Sequence, residues 1–223
     1  MPQPFNKSAI IMQNYPNSPT AEAYRSLRFN IEFSVFDREV KTIAITSANR
    51  GEGKTTTALN LAVANAQIGK KVILLDADLR KPSIHLTFGG DYNKGLTNFL
   101  ANHSAANEII RDSYIDNLSI IKSGPIPSNP SELLASKQMN SLLDELKQNY
   151  DLIIVDTPPI LMLTDAKILA AKCDGVLLVV EYGKVKRKAA QKVREELMLA
   201  KSNLIGVVLN KIKNQDEEAY LYQ

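Results

Sequence analysis

Residues 44–62 read AITSANRGEGKTTTALNLA, and this stretch decides how the rest of the chain is understood. A β-branched, apolar run ends at Ser47, a glycine-containing loop follows, and Lys54-Thr55 opens an amphipathic helix closed by Gly69. Residues 48–55, ANRGEGKT, fit the phosphate-loop pattern G-x-x-x-x-G-K-[ST], except that Ala48 replaces its first glycine. Gly51 and Gly53 let backbone N–H groups turn inward without a Cβ in the way, forming an anion nest. The helix that begins near Lys54 points the positive end of its dipole at the phosphates. Lys54 then reaches the β- and γ-phosphates, and the Thr55 hydroxyl ligates Mg²⁺. Asn49, Gly51, Glu52, Gly53, Lys54, Thr55 and Thr56 are therefore the candidate ATP-binding residues of the loop.

Outward from the loop, strand and helix alternate. Strand candidates are 41–47, 70–78, 118–124, 151–158, 174–182 and 204–212, each β-branched or Leu-rich and nearly unbroken by polar residues. Runs of that kind are buried on both faces, as in a parallel sheet. Helix candidates fall at 55–68, 105–112, 130–148, 164–172 and 185–201. The alternation predicts an α/β domain of the doubly wound type, a mainly parallel sheet with helices on both faces, over residues 20–212. Residues 1–19 lack periodicity and read as an extended arm. Residues 20–36 read as a helix with Thr20 as N-cap, and 213–223 as a flexible tail.

Composition narrows the function. The 223 residues are 44% hydrophobic, enough for a large core. A net charge of +3 on a mixed surface makes no case for nucleic acid, and no direct nucleic-acid binding is expected. The lone Cys173 excludes a disulfide framework and any multi-thiolate or iron–sulfur centre, and fits a reducing, cytosolic setting. No apolar run approaches the 18 or so residues of a membrane span, and the N-terminus does not read as a signal peptide.

Acidic residues cluster where the chemistry needs them. VILLDADLRKP places Asp76 and Asp78 at the C-terminal edge of one strand, and LIIVDTPP places Asp156 at the end of another. Ligands of open parallel sheets bind outside those edges, so all three carboxylates can converge on a triphosphate held by Lys54. Asp156 reads as the Mg²⁺-facing carboxylate. Asp76 and Asp78 share one side of their strand, where one can take a proton from a nucleophile while the other supports Mg²⁺. Capping of the turn that follows is the alternative for both. Arg80 and Lys81 are open to two roles, neutralising phosphate charge or forming a solvated turn.

SGPIPSNPSELL, residues 123–134, starts a helix with Asn129 as N-cap, Pro130 at the first position and Glu132 as the capping-box partner. Together with EAYRSLRFNI, GEGKTTTALNLA, ILLDADLRKP and IIVDTPP in this order, it makes the chain resemble the catalytic domain of bacterial tyrosine kinases of capsular and exopolysaccharide synthesis. The resemblance runs from about residue 15 to the end. It implies that Lys54 and Thr55 form the first Walker motif, Asp76 and Asp78 the additional motif peculiar to the family, and Asp156 the second Walker carboxylate. Asp76 would be the base for the tyrosine hydroxyl, with Lys54 and Asp78 completing the catalytic set and Thr55, Asp78 and Asp156 holding Mg²⁺. Glu22, Arg25 and Arg28 match an E-x-x-R-x-x-R element that packs subunits into a closed ring, with an octamer as one possible size. Tyr220 and Tyr222, in NQDEEAYLYQ, match a tail phosphorylated by a neighbouring subunit. The resemblance further implies a membrane activator acting through its cytoplasmic tail, a cognate phosphatase, other protein substrates, and a cytoplasmic location at the inner face of the membrane.

The competing reading is an ATPase switch of the partitioning or division-site class. There an extra lysine stands where this chain has the uncharged Asn49. Asn210 ends the last strand, where it either reads the adenine edge or is satisfied by backbone. Residues 183–193, GKVKRKAAQKV, put five cations at a helix start, either as a docking surface for an acidic segment or as a solvated face. His85 and His103 sit apart and point to no metal site.

Overall fold

The structure is a computed structural model that describes residues 9–34, 39–89 and 93–212. Two helices lead in: α1 (Ile11–Asn14) and α2 (Pro19–Ser34). Then come β1 (Thr42–Ser47), α3 (Lys54–Ala66), β2 (Val72–Asp76), α4 (His85–Phe88), α5 (Leu96–Leu100) and α6 (Ala106–Ile109). After β3 (Ile110–Asp112) and β4 (Leu118–Ile121) follow α7 (Pro130–Ala135), α8 (Lys137–Asn149), β5 (Leu152–Asp156) and α9 (Thr164–Lys172). The last elements are β6 (Gly175–Glu181), α10 (Arg187–Leu199) and β7 (Leu204–Asn210).

The seven strands form one sheet in the order β3-β4-β2-β5-β1-β6-β7, parallel except for the antiparallel edge pair β3–β4. Alternation along β2 divides the molecule into two cores. Ile73 and Leu75 join Ile153, Val155, Met139, Leu142 and Leu169 beneath α8 and α9. Val72 and Leu74 join Ile43, Ile154, Leu59 and Val63 beneath α3, with α1 and α2 outside it. Strands buried on both sides explain the unbroken apolar runs, and the doubly wound α/β fold agrees with that reading.

Several local expectations are corrected. Residues 9–19 are not an extended arm: Ile10 and Met12 are each 1% exposed, and the Met12 N–H donates to Asn60 Oδ1 at 3.0 Å. Burial of those two side chains against α3 repays the ordering of a segment that has no periodicity of its own. Ser18, not Thr20, caps α2, its Oγ accepting from the Ala21 N–H at 3.2 Å, with Pro19 at the first helical position. The helix expected over 105–112 stops at Ile109, because Ile110–Asp112 pairs with β4 instead. The helix expected over 130–148 is two helices, divided at Ser136, whose Oγ caps α8 by accepting from the Met139 N–H. The Asn129 side chain caps no helix and donates to Glu132 Oε2 at 2.8 Å, so no capping box forms there. β7 is not buried on both faces: Leu204, Val207 and Leu209 are 39%, 58% and 49% exposed, as befits a strand at the edge of the sheet formed by the described residues.

Candidate active site

The phosphate loop leaves β1 at the middle of the sheet and enters α3 at Lys54. Gly51 and Gly53 have φ of 80° and 96°, the left-handed region in which a side chain is strained. Gly53 is needed twice over, since a Cβ there would lie 2.0 Å from Asn210 Nδ2. Glu52 is 3% exposed and turns its carboxylate back into the loop. It accepts from the N–H groups of Ala48 and Asn49 at 3.1 and 3.2 Å and from Asn49 Nδ2 at 2.9 Å. The Glu52 carboxylate and the Asn49 amide nitrogen therefore brace the loop rather than face a phosphate, and the Asn49 backbone is engaged too, its N–H by Glu52 and its carbonyl by the Ser47 hydroxyl. Thr56, in the first turn of α3, gives its carbonyl to Asn60 Nδ2.

Sheet register brings the acids together: Asp76 of β2 and Asp156 of β5 are direct Cα partners. Lys54 Nζ lies 3.2 Å from Asp78 Oδ2 and 3.5 Å from Asp156 Oδ1. Thr55 Oγ1 donates to Asp156 Oδ2 at 2.7 Å. For Asp76 and Asp78 the capping role and a role in the site coexist, because each carboxylate divides its oxygens. Asp76 Oδ2 accepts from the N–H groups of Ser83 and Ile84 at 3.0 and 2.9 Å, and Asp78 Oδ1 accepts from the Lys81 N–H at 3.1 Å. The other oxygen of Asp78 goes to Lys54, and Asp76 Oδ1 is buried without a hydrogen-bond partner among the described residues.

Burial, and then the charge of Asp156, push the Asp76 carboxyl up to about 7, against the opposing hydrogen bonds of Ile84 and Ser83 and the charge of Lys54. Burial also raises Asp156, although Lys54 and Thr55 oppose it. Burial tends to lower Lys54, but the surrounding Asp156 and Asp78 outweigh it and raise its pKa. One half-buried lysine thus faces three buried carboxylates, an imbalance that a cation corrects. Among the described residues no three His, Cys, Asp or Glu side chains hold a metal by themselves. The donors on offer are hydroxyl and carboxylate oxygens, which suit Mg²⁺ shared between protein, water and phosphate.

Other candidates fall elsewhere. Arg80 is tied to buried Asp165 through Nε at 2.7 Å and Nη2 at 3.1 Å, and Ser131 bonds the same carboxylate. Burial opposes ionisation of Asp165, yet the Arg80 and Ser131 hydrogen bonds hold it below the usual carboxylate range. Arg80 is therefore a brace between the end of β2 and α9, not a phosphate ligand. Asn210 does reach the loop, donating through Nδ2 to the Glu52 carbonyl at 2.9 Å. Arg25 pairs with Glu22 at 2.8 Å, but Arg28 leans to Glu32 at 3.7 Å, so the ladder does not continue through it. Of the five cations at 183–193, Lys184 pairs with Glu181, and all five are exposed. Burial lowers the His85 pKa, with Lys122 adding to the effect, and pushes the Cys173 thiol up to about 12, leaving it inert. Tyr220 and Tyr222 lie outside the described residues. Sequence reasoning did not find Asp165, Glu181 or Lys211 at this edge, and no local pattern marks them.

Fold and loop together define a P-loop nucleotide-binding domain, and a family model described as an AAA domain matches residues 40–214. The chain is 46% identical over 213 residues to tyrosine-protein kinase YwqD of Bacillus subtilis (strain 168), covering 96% of this chain and 90% of that protein. A crystal structure of the chimerical protein CapA2B2 superposes with a TM-score of 0.89 at 40% identity, covering 93% of this chain and 91% of the other. The kinase domain of Escherichia coli tyrosine kinase ETK gives 0.89 at 33% identity, covering 92% and 81%. The chain belongs to the bacterial tyrosine-protein kinase family. The cell division ATPase MinD of Pyrococcus furiosus, of the competing class, is more distant, with a TM-score of 0.68 at 27% identity over 79% of this chain and 74% of that one.

Proposed function

We propose that this chain is an ATP-dependent protein-tyrosine kinase that phosphorylates the C-terminal Tyr220 and Tyr222 of a neighbouring copy and regulates capsular or exopolysaccharide synthesis. The observation that carries this reading is Asp76 Oδ1, a buried carboxylate oxygen with no described partner beside Lys54, Asp78 and Asp156. An ATPase clock needs a water to be positioned; a kinase also needs a base for an acceptor hydroxyl. A carboxylate brought near neutrality by burial and by Asp156 is matched to that proton transfer.

In this scheme the loop N–H groups and Lys54 hold the β- and γ-phosphates, and Lys54 exchanges its carboxylate partners for phosphate oxygens. Thr55, Asp78 and Asp156 would hold Mg²⁺, which would neutralise charge on the triphosphate. The tyrosine oxygen forms its bond to the γ-phosphorus while the bond from that phosphorus to the β–γ bridging oxygen breaks, and ADP leaves. The tyrosine proton passes to Asp76 Oδ1, and Oδ2 stays fixed by Ser83 and Ile84. With Asn210 Nδ2 committed to Glu52, contact with an adenine amino group falls to the Asn210 side-chain oxygen. Glu22, Arg25 and Arg28 lie on α2 and would close subunits into a ring, which brings one copy's tail to the next copy's site.

No described helix is long and apolar enough to cross a membrane. A peripheral place at the inner membrane face through a separate activator is the arrangement that the similarity to a chimeric protein, CapA2B2, supports. A phosphatase and further protein substrates complete the proposal. It is tested by intact mass after incubation with Mg-ATP, with Lys54→Met as control and with and without the cytoplasmic tail of a candidate membrane partner. Phosphate additions mapped to Tyr220 and Tyr222 are expected. Release of phosphate to water with no mass gain under any condition would replace this reading with the ATPase switch.

A further inference from the structure

The loop is gripped from its outer side by the end of the last strand. Lys211 Nζ donates to the Gly51 carbonyl at 2.6 Å, and Asn210 Nδ2 donates to the Glu52 carbonyl at 2.9 Å. A trans peptide unit is planar, with its C=O and N–H pointing in opposite directions. Turning the Gly51 carbonyl outward therefore turns the Glu52 N–H inward, and turning the Glu52 carbonyl outward does the same for the Gly53 N–H. Those N–H groups are consecutive donors of the anion nest.

Lys211 is itself held in place. Its φ of 59° lies in the left-handed region, uncommon for a residue with a side chain. Its ammonium sits 3.1 Å from Glu181 Oε2, on a carboxylate that Lys184 shares and that belongs to a residue only 8% exposed. The Tyr182 N–H donates to the Asn210 carbonyl at 2.9 Å, which fastens the end of β6 to the end of β7 just before Lys211. We propose that Lys211 is a positioning residue for nucleotide binding: anchored by Glu181, it orients the Glu52 N–H toward the phosphates through the Gly51 carbonyl. The proposal rests on the reading of the loop as an ATP site. Nothing in the phosphate-loop pattern includes this residue, which stands 160 positions from Gly51.

The test is equilibrium titration of the full chain with fluorescent N-methylanthraniloyl-ADP in Mg²⁺, followed by displacement with adenosine. Lys211→Met is expected to weaken ADP binding about tenfold, the worth of one partly exposed charge-assisted hydrogen bond, and to leave adenosine unchanged. Lys211→Arg keeps charge and donors and should recover most of the affinity. Glu181→Gln, which loosens the anchor but spares the lysine, should give an intermediate loss. A merely structural role would lower the melting temperature and weaken ADP and adenosine alike. Wild-type affinity in Lys211→Met, with the wild-type chain binding ADP, would overturn the positioning role alone. A wild-type chain that binds no ADP would overturn the ATP reading and the positioning role with it.

Discussion

Replacing Asp76 with Asn should separate two things this residue does, and the structure sets the size of the effect. The amide of Asp76→Asn can keep both capping bonds by offering its oxygen to the Ser83 and Ile84 N–H groups, where Asp76 now uses Oδ2. Its nitrogen then occupies the place of the unpartnered oxygen, and the second charge beside Asp156 is gone. In the wild-type chain the carboxyl is raised from 3.8 to about 7. Below the lower value it is protonated in folded and unfolded chains alike and costs nothing. As pH rises through this window the unfolded chain ionises freely while the folded one resists, so stability falls, and above the upper value the full cost is present. A displacement of that size corresponds to at most about 4 kcal/mol. Asp76 and Asp156 titrate together, which divides the cost between the two carboxylates, so about 2 kcal/mol is expected at a pH of about 8. Urea unfolding without nucleotide and with a chelator, at about pH 5 and pH 8, reads it directly. Asp76→Asn should be more stable than wild type at the higher pH by about that amount, with a smaller margin at the lower. It should also bind Mg-ADP and transfer no phosphate. A margin that does not change with pH would refute the burial account of Asp76, and phosphotyrosine formed by the variant would refute its role as base.

Further changes probe the surroundings. Gly53→Ala places a Cβ 2.0 Å from Asn210 Nδ2 at a φ of 96°, so the loop must distort; calorimetric titration should find ADP binding lost, and near-normal binding would contradict the close packing. Arg80→Met takes the only paired cation from the buried Asp165 carboxylate among the described residues, leaving it Ser131 and its own backbone N–H. The partial exposure of Arg80 holds the loss to about 2 kcal/mol, read as a lower urea midpoint, and an unchanged midpoint would show that the pair contributes nothing. Ser136→Ala removes the cap that starts α8 and should cost about 1 kcal/mol in the same assay, with no change in nucleotide affinity. Combined Ala substitution of Glu22, Arg25 and Arg28 should leave a monomer by light scattering, whereas a persisting assembly would remove the ring role of α2.

The parts of this protein legible in its sequence are those governed by local rules. The strand, glycine loop, Lys54-Thr55 and helix could be read in order because a phosphate nest needs those residue types consecutively. The apolar runs pointed to the parallel sheet because strands covered on both faces leave no polar positions. The acids at 76, 78 and 156 were legible because they stand where such runs end. Which strands lie side by side was settled in three dimensions alone, and with it that Asp76 and Asp156 are neighbours whose shared burial sets their protonation. Tertiary packing also joined Arg80 to Asp165, because a long charged side chain takes the nearest opposite charge or donor in space. The short β3 and the burial of Ile10 and Met12 depend on partners distant in the chain, which no local periodicity records. For the same reason the grip of Lys211 on Gly51 could not be read from sequence: backbone carbonyls carry no residue identity, and a hydrogen bond across 160 positions leaves no pattern in either segment.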